Sequence, residues 1–281
     1  ARYRKEAHGG LDDQTIRALC ERLEYLRGLE KRREEVRALI ESAGALTPEL
    51  SASLDAAATL TEIDDLYRPY RPKRRTRATI ARERGLEPLA EQILTQGEED
   101  PLQLAASYTN PEKELPSPED ALAGALDILA EQISDDASVR KRLRVVAGAQ
   151  AELVSRAADP EADTVYQMYY DFRQPVRSLA GHRVLAINRG EKENALKVSL
   201  ELNRERALSI VCSAWVKAQN LCGEAVRKAA EDSYDRLIFP SLEREIRSDL
   251  TEQASEAAIQ VFSTNLRQLL MQPPVKGKVT I

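Results

Sequence analysis

The sequence has 281 residues, enough for one large domain or about two ordinary ones. Charged residues make up 31% and hydrophobic residues 42%, while glycine and proline number only 12 and 13. This helix-favouring composition disfavours an all-β sandwich, a collagen-like chain and a disordered chain. The sequence contains no apolar run of about 18 residues, so it predicts no membrane span. Because the first residue is alanine rather than methionine, we expect that an N-terminal piece precedes it.

The first third of the chain is predicted to be helical. Apolar residues at helical spacing predict a long amphipathic helix over 14–43 that ends at Gly44. Its apolar face is formed by Ile16, Leu19, Cys20, Leu23, Leu26, Leu39 and Ile40. Thr61 and Thr76 are predicted to cap two further helices, and Gly85 is predicted to end the second of them.

Residues 118–158 are predicted to form a compact unit of three helices. The first begins at Pro118, the second carries Val139, and the third follows Gly148 and carries Leu153. Helices joined by short turns are compatible with a helix-turn-helix-like unit, although most helical hairpins are structural.

The segment 159–272 is predicted to be helical apart from one strand. Strict alternation of apolar and polar residues over 196–202 is typical of a half-buried strand. Residues 182–192 fit a helix or a strand, and a helix followed by the strand is the preferred order. Two prolines end the last helix, and the residues after them look like the start of a strand. We therefore expect a mainly α fold, elongated and multi-helical, with segments 1–117, 118–158, 159–272 and 273–281, the last being the first strand of a following domain.

Two of the later helices are predicted to bury an apolar face. In the first, Trp215 shares a face with Cys212 and is interpreted as a core residue rather than a binding anchor. The face of the last helix comprises Ala254, Ala258, Val261, Phe262 and Leu269.

Three cysteines and two histidines restrict the chemistry. Cys20, Cys212 and Cys222 lie among apolar residues and are predicted to be core, and their odd number without a C-x-x-C pair disfavours a disulfide framework. A reducing, cytoplasmic compartment fits this cysteine usage best. His8 and His182 have no nearby ligand pair or nucleophile motif, so the sequence predicts no zinc site, no other cofactor and no catalytic residue.

Charge is distributed in blocks that the net charge of −5 conceals. Residues 66–85 carry eight basic groups against one acid, a net charge of +7. Residues 86–136 carry thirteen acids against one base, a net charge of −12. Such asymmetry indicates either a directed surface or two segments that face each other.

The basic run is the strongest candidate for function. Lysine and arginine bind phosphates and tyrosine stacks on bases, so the run predicts a nucleic-acid contact. The acidic block over 86–136 supports the alternative that the arginines brace the folded chain, and both interpretations stay open. The candidate binding residues are Tyr67, Tyr70, Arg71, Lys73, Arg74, Arg75, Arg77 and Arg82.

A second basic patch lies on the predicted helix that carries Val139. Arg140 and Arg144 are four residues apart and share a face, with Lys141 adjacent. One interpretation gives these three residues a phosphate-facing role, and the other makes them a solvated basic face.

Three acidic pairs raise the question of metal-dependent phosphoryl transfer. They are Asp12-Asp13, Asp64-Asp65 and Asp135-Asp136. A two-metal site needs several carboxylates that converge within a few ångströms. Each pair instead lies before a predicted helix or in its opening turns, where acids stabilise the helix dipole, so no metal site is predicted.

Several runs together carry a specific resemblance to a known family. They are Ala1–Glu6, Asp65–Arg82, Gly85–Ala90, Leu185–Glu193 and Pro273–Val279. These runs resemble the bacterial Tex family of transcription accessory proteins. The resemblance implies the N-terminal helical region of a multi-domain protein, ending where an RNase H-like domain of the YqgF type begins. It also implies helix-hairpin-helix and OB-fold RNA-binding modules beyond that domain, and a link to transcription and RNA metabolism.

Two functions of different classes follow. The first is a non-catalytic helical scaffold that contributes to RNA or DNA binding and to transcription regulation. The alternative is a docking module for the transcription machinery without direct nucleic-acid contact. An enzyme such as a nuclease would need a carboxylate cluster that the sequence does not display, and no membrane partner is expected.

Overall fold

The structure, a computed structural model, describes residues 12–72 and 75–272. Helices dominate it, which confirms the predicted mainly α class. The α-helices are α1 (Asp13–Ser42), α2 (Pro48–Ala56), α3 (Leu60–Tyr67), α4 (Arg77–Glu83), α5 (Glu87–Thr95), α6 (Pro101–Ala106), α7 (Pro118–Ser134), α8 (Ala137–Gln150), α9 (Gly181–Lys192), α10 (Arg204–Trp215), α11 (Leu221–Asp232) and α12 (Phe239–Leu270). The strands are β1 (Glu152–Ala157), β2 (Asp171–Pro175) and β3 (Leu196–Glu201).

The described chain divides into two compact units. Unit 1 comprises residues up to 92 together with 99–141, and unit 2 comprises 93–98 together with the residues from 142 onward. The predicted segment boundaries at 117 and 158 do not coincide with this division. The predicted strand over 273–281 lies outside the described residues.

Side-chain caps and glycines set the helix ends of unit 1. The Thr76 hydroxyl accepts the Thr79 N–H at 3.1 Å, which confirms the predicted cap of α4. Helix α3 is capped by Thr59 rather than by the predicted Thr61, because Thr59 Oγ1 accepts the Glu62 N–H at 3.2 Å. Gly44 follows α1 with φ +68°, a conformation that L side chains rarely adopt.

The core of unit 1 gathers the apolar faces of its helices. One cluster joins α1, α2 and α3, and its largest members are Leu29, Val36, Ile40, Leu54, Ile63 and Tyr67. A second set of buried residues lies where α4 packs on α7. There Gly124 permits close approach, because an added Cβ would lie 2.4 Å from Cδ1 of Leu86.

The first half of α1 does not contribute to this core. Leu19, Leu23 and Leu26 are exposed, and Cys20 is exposed with them, so the predicted burial of this face is wrong for these residues. The buried residues of α1 are Leu29, Val36 and Ile40, all in the second half of the helix. Periodicity therefore predicted the helix and the burial of Ile40 correctly, but not the exposure of the first half of the apolar face.

Unit 2 contains a three-stranded antiparallel sheet in the order β2-β1-β3. Strand β1 replaces the predicted third helix of the 118–158 unit, so the predicted trihelical arrangement is wrong. Leu153, Val154 and Ser155 are buried in succession, and a strand covered on both faces lacks the alternation that distinguishes it from a helix. The predicted order over 182–202 is confirmed, because α9 precedes β3.

A backbone irregularity joins α11 to α12. Residues Ser233–Ile238 form a π-helical turn immediately before Pro240 in the first turn of α12. Proline has no N–H, so the bond back to the carbonyl of Arg236 cannot form, and a local π turn accommodates the loss. Beyond it Leu242 and Ile246 are buried, and so is Ala254 of the predicted apolar face, whereas Val261, Phe262 and Leu269 near the end of α12 are exposed.

Gln96 is a buried polar residue of unit 2 that the sequence does not single out. It lies just after α5 with φ 55° and is buried. Its Oε1 accepts the N–H groups of Lys217 and Ala218 at 2.7 and 2.9 Å, and its Nε2 donates to the Trp215 carbonyl at 2.7 Å. One side chain thus satisfies three backbone groups of the turn after α10. No motif marks it, because its partners lie about 120 residues away in the sequence.

We expect Gln96→Ala to lower the free energy of unfolding by about 2 kcal/mol, because it leaves three part-buried backbone groups without hydrogen-bond partners. Chemical denaturation of the variant and the wild type measures the difference. Gln103→Ala, at an exposed position of α6, is the matched control and should change stability by less than about 0.5 kcal/mol. Equal effects of the two substitutions would contradict the role given to Gln96.

Candidate nucleic-acid interface

The basic run occupies the connection between α3 and α4 in unit 1. Helix α3 ends at Tyr67, a 3₁₀ turn covers Arg68–Tyr70, and the backbone is extended at Arg71 and at Thr76, the cap of α4. Lys73 and Arg74 lie outside the described residues. The two prolines of this run explain why the helix stops here, since each removes a backbone donor.

Three arginines of the run pair with carboxylates of the acidic block. Arg68 Nε lies 3.2 Å from Asp135 Oδ1, and Arg82 Nη1 lies 2.6 Å from Glu131 Oε2. Arg84 pairs with Glu114. These contacts fit the bracing interpretation, because the acids at 114, 131 and 135 all belong to the block over 86–136.

The other described arginines of the run face solvent. Arg71, Arg75 and Arg77 are all exposed. Arg75 has an ion-pair partner, Glu83, at 3.4 Å, but the two side chains are 72% and 56% exposed, so the pair is weak. Arg71 and Arg77 form no ion pair with a described residue. The basic run is therefore divided between residues that brace unit 1 and residues that present charge to solvent.

The two tyrosines of the run belong mainly to the core. Tyr67 is only 9% exposed and lies in the cluster of α1, α2 and α3, while Tyr70 is half-buried against the same cluster. The Arg32 guanidinium lies 5.9 Å from the centre of the Tyr67 ring. A buried ring cannot stack on a base, so Tyr67 is excluded from an interface in this structure.

The second basic patch is not a continuous basic face. Arg140 is buried and its Nε donates to Asp65 Oδ1 at 2.9 Å within unit 1. Lys141 Nζ lies 2.6 Å from Glu62 Oε1. Arg144 pairs with Glu245 within unit 2. Each of the three predicted cations is thus engaged by a carboxylate, and Arg140 has no surface to offer a phosphate.

The Glu62 carboxylate is stabilised in its ionised form. The hydrogen bond from Lys141, followed by the one from the Ala58 N–H, lowers the pKa of Glu62 below its usual value. A lowered pKa in the folded state contributes stability above the pKa of the unfolded chain, and that contribution is lost as the pH falls through the folded pKa. Lys141 is therefore bound to a persistently charged partner at neutral pH.

The acidic pairs have separate structural roles. Asp12 Oδ1 accepts the Thr15 N–H at 2.7 Å as the cap of α1, and Asp136 Oδ1 accepts the Ser138 N–H at 2.8 Å at the start of α8. Asp64 accepts a hydrogen bond from Arg32, and Asp65 accepts one from Arg140. Within the described part of the chain, no group of histidine, cysteine and acidic side chains is arranged to hold a metal ion.

The surroundings of two nucleophilic groups in unit 2 favour their protonated forms. Burial raises the pKa of the Cys212 thiol and raises the pKa of Tyr234 to about 12. Cys222 is buried as predicted, Cys212 and Trp215 are half-buried, and His182 is exposed. In the ranges 12–72 and 75–272 no helix has the length and apolar content needed to cross a bilayer.

Comparison with known proteins places the chain in a family. The model of the Tex central region matches residues 96–262, and the model of the Tex-like N-terminal domain matches residues 1–41. The chain is therefore built from the N-terminal and central modules of Tex-like proteins. It belongs to the Tex family.

Relatives in bacteria and animals extend this result. The transcriptional accessory protein Tex of Neisseria gonorrhoeae is 38% identical over the whole chain, which covers 38% of that protein. YdcI of Bacillus subtilis is 43% identical over the whole chain, which covers 40% of YdcI. The human S1 RNA-binding domain-containing protein 1 is 30% identical over 99% of the chain and 29% of that protein. The chain thus spans about 40% or less of these relatives.

Proposed function

We propose that this chain is a non-catalytic helical scaffold in a transcription accessory protein, and that it contributes to RNA or DNA binding in the cytoplasm. The division of the basic run carries the proposal. Arg68, Arg82 and Arg84 are held by carboxylates, which tie the turn after α3 and the end of α4 to other parts of unit 1. Arg71, Arg75 and Arg77 lie between these anchored points and are exposed.

The proposed contact is to phosphate rather than to bases. Arg71, Arg75 and Arg77 supply charge, whereas the two tyrosines beside them pack in the core cluster, Tyr67 buried and Tyr70 half-buried. Phosphate contacts position a protein on nucleic acid without reading its sequence. We therefore propose binding that is sensitive to salt and indifferent to sequence, supporting the regulation of transcription by the longer protein.

The test is fluorescence anisotropy of the 281-residue chain with single-stranded RNA, single-stranded DNA and duplex DNA over a range of salt concentrations. We expect the variant with Arg71, Arg75 and Arg77 changed to alanine to bind more weakly. Its log–log salt slope on duplex DNA should shrink by about 2.7, at about 0.9 for each lost phosphate contact.

A matched variant carries alanine at Arg17, Arg22 and Arg27, three exposed arginines of α1. It changes the net charge by the same amount and should retain the wild-type slope. Equal losses in the two variants would indicate a general charge effect and contradict the proposed surface. Absence of binding by the wild type would favour the alternative, a module that docks on protein components of the transcription machinery.

A further inference from the structure

A second cationic surface lies in unit 2 and is formed by residues other than those of the basic run. Residues 172–189 contain four arginines and no acidic residue. They run from β2 through a 3₁₀ turn at Val176–Ser178 into α9. One of the four, Arg173, is held by Glu152 at 2.7 Å and Glu201 at 2.6 Å on one face of the sheet. Arg177, Arg183 and Arg189 are exposed.

Two of these exposed arginines are organised around the other face of β2. Successive side chains of a strand point to opposite faces, so Phe172 and Gln174 point away from Arg173. The Arg183 guanidinium lies 5.8 Å from the centre of the Phe172 ring, and its Nη1 donates to Gln174 Oε1 at 2.7 Å. Gln174 Nε2 in turn donates to the Ser178 carbonyl at 2.9 Å. Gln174 thereby fixes Arg183 relative to the turn that carries Arg177.

Apolar groups adjoin these cations. The Phe172 ring is half-buried and makes an edge contact with Tyr169, with ring centres 5.5 Å apart. Met168, next to that tyrosine, is 74% exposed. The surface therefore combines one fixed planar cation, Arg183, and a second exposed arginine with a half-buried aromatic ring, a combination on which single strands bind by phosphate contact and base stacking.

We propose that Phe172, Arg177 and Arg183 form a binding surface for single-stranded nucleic acid. Arg177 and Arg183 contact phosphates, and the plane of the Arg183 guanidinium, supported from beneath by Phe172, stacks on a base. An acidic peptide would use the two charges but not the supported plane, so the geometry favours a nucleic acid. This surface is independent of the exposed arginines of the basic run.

The test uses the 281-residue chain and labelled single-stranded RNA and DNA. We expect the variant R177A/R183A to bind more weakly, with its log–log salt slope reduced by about 1.4, at about 0.7 for each single-strand phosphate contact. The control R206A/R227A removes two exposed arginines of α10 and α11 in the same unit and should retain the wild-type slope. Wild-type unfolding midpoints for both variants establish that the fold is intact.

A conservative variant separates stacking from charge. R183K keeps the charge but loses the plane, so we expect an unchanged salt slope and an affinity about fivefold lower, near the lower limit for stacking on one base. A wild-type slope in R177A/R183A, or wild-type affinity in R183K, would overturn the proposal. Binding of a labelled polyglutamate peptide but of neither oligonucleotide would also overturn it, in favour of an acidic protein partner.

The outcome is distinguishable from that of the proposed function. The alanine variant at Arg71, Arg75 and Arg77 alters unit 1 only, and R177A/R183A alters unit 2 only. If only the first variant loses affinity, the surface in unit 2 is refuted while the proposed function stands. If only the second loses affinity, the surface in unit 2 stands, and the proposed phosphate contact by Arg71, Arg75 and Arg77 is refuted.

Discussion

Replacing Arg140 with methionine is expected to lower the free energy of unfolding by about 4 kcal/mol. The Arg140 and Asp65 side chains are only 3% and 7% exposed, and Nε of the arginine lies 2.9 Å from the carboxylate. Removal of one member of a buried pair leaves an uncompensated charge, which typically costs about 3–5 kcal/mol. Methionine approximates the arginine stem, so the loss reports the stranded Asp65 carboxylate more than a cavity. Urea denaturation followed by circular dichroism measures the change.

Two further variants make this prediction specific. Arg75→Ala removes the exposed pair with Glu83 and should cost less than about 1 kcal/mol. The double variant Arg140→Met with Asp65→Leu removes both buried charges, and replacing a buried pair with apolar residues is often neutral or stabilising. We therefore expect the double variant to recover most of the lost stability. A double variant as unstable as Arg140→Met alone would show that packing, not charge, governs the site.

The bracing contacts were partly predictable from the sequence. Opposite charge blocks at 66–85 and 86–136 indicated that some arginines would find partners within the fold, and Arg68, Arg82 and Arg84 do so. The burial of Arg140 was not predictable, because helical spacing shows which residues share a face but not what that face meets. Its partner Asp65 is 75 residues away in the sequence.

The strands show where local patterns lose information. The half-buried β3 alternates and was predicted within one residue of its observed end. Strand β1 has three buried residues in succession, which a helix can also present, and it was assigned to a helix. Strand β2 is short and contains arginine, glutamine and proline, so it exists through pairing with β1 rather than through its own propensity.

Apolar helix faces show a related limit. The first half of α1 and the last part of α12 have apolar residues at helical spacing, and both segments are helical as predicted. Their large apolar side chains are nevertheless mostly exposed. Periodicity records that a face is apolar, whereas burial depends on a surface that lies elsewhere in the sequence. The same limit applies to the candidate interface. Composition identified the basic run, but only the fold shows which of its arginines pair with carboxylates and which are exposed.

The substitution Gly223→Ala should lower the free energy of unfolding by about 3 kcal/mol. Gly223 is the third residue of α11, and its N–H donates to the capping Asn220 side chain at 2.8 Å. A Cβ there would lie 2.0 Å from the carbonyl oxygen of Ala218 and 2.9 Å from its carbonyl carbon. Because these atoms are backbone, no side-chain rotation relieves the overlap, and overpacking of this kind costs about 1–3 kcal/mol or more.

If the added Cβ displaces the Ala218 backbone, the hydrogen bonds of Gln96 should weaken as well. The Ala218 N–H donates to Gln96 Oε1 at 2.9 Å, so movement of this turn weakens the bonds that hold residues 93–98 in unit 2. We therefore expect Gly223→Ala and Gln96→Ala to be less than additive, since each disrupts the same turn. Gly148→Ala in α8 is the matched control. Nothing lies within 4 Å of its added Cβ, and the substitution should stabilise the chain by about 0.5–1 kcal/mol. If Gly223→Ala and Gly148→Ala were equally stable, the turn at Ala218 would move aside without an energetic cost, contrary to this prediction. If the effects of Gly223→Ala and Gln96→Ala were strictly additive, the two sites would be energetically independent.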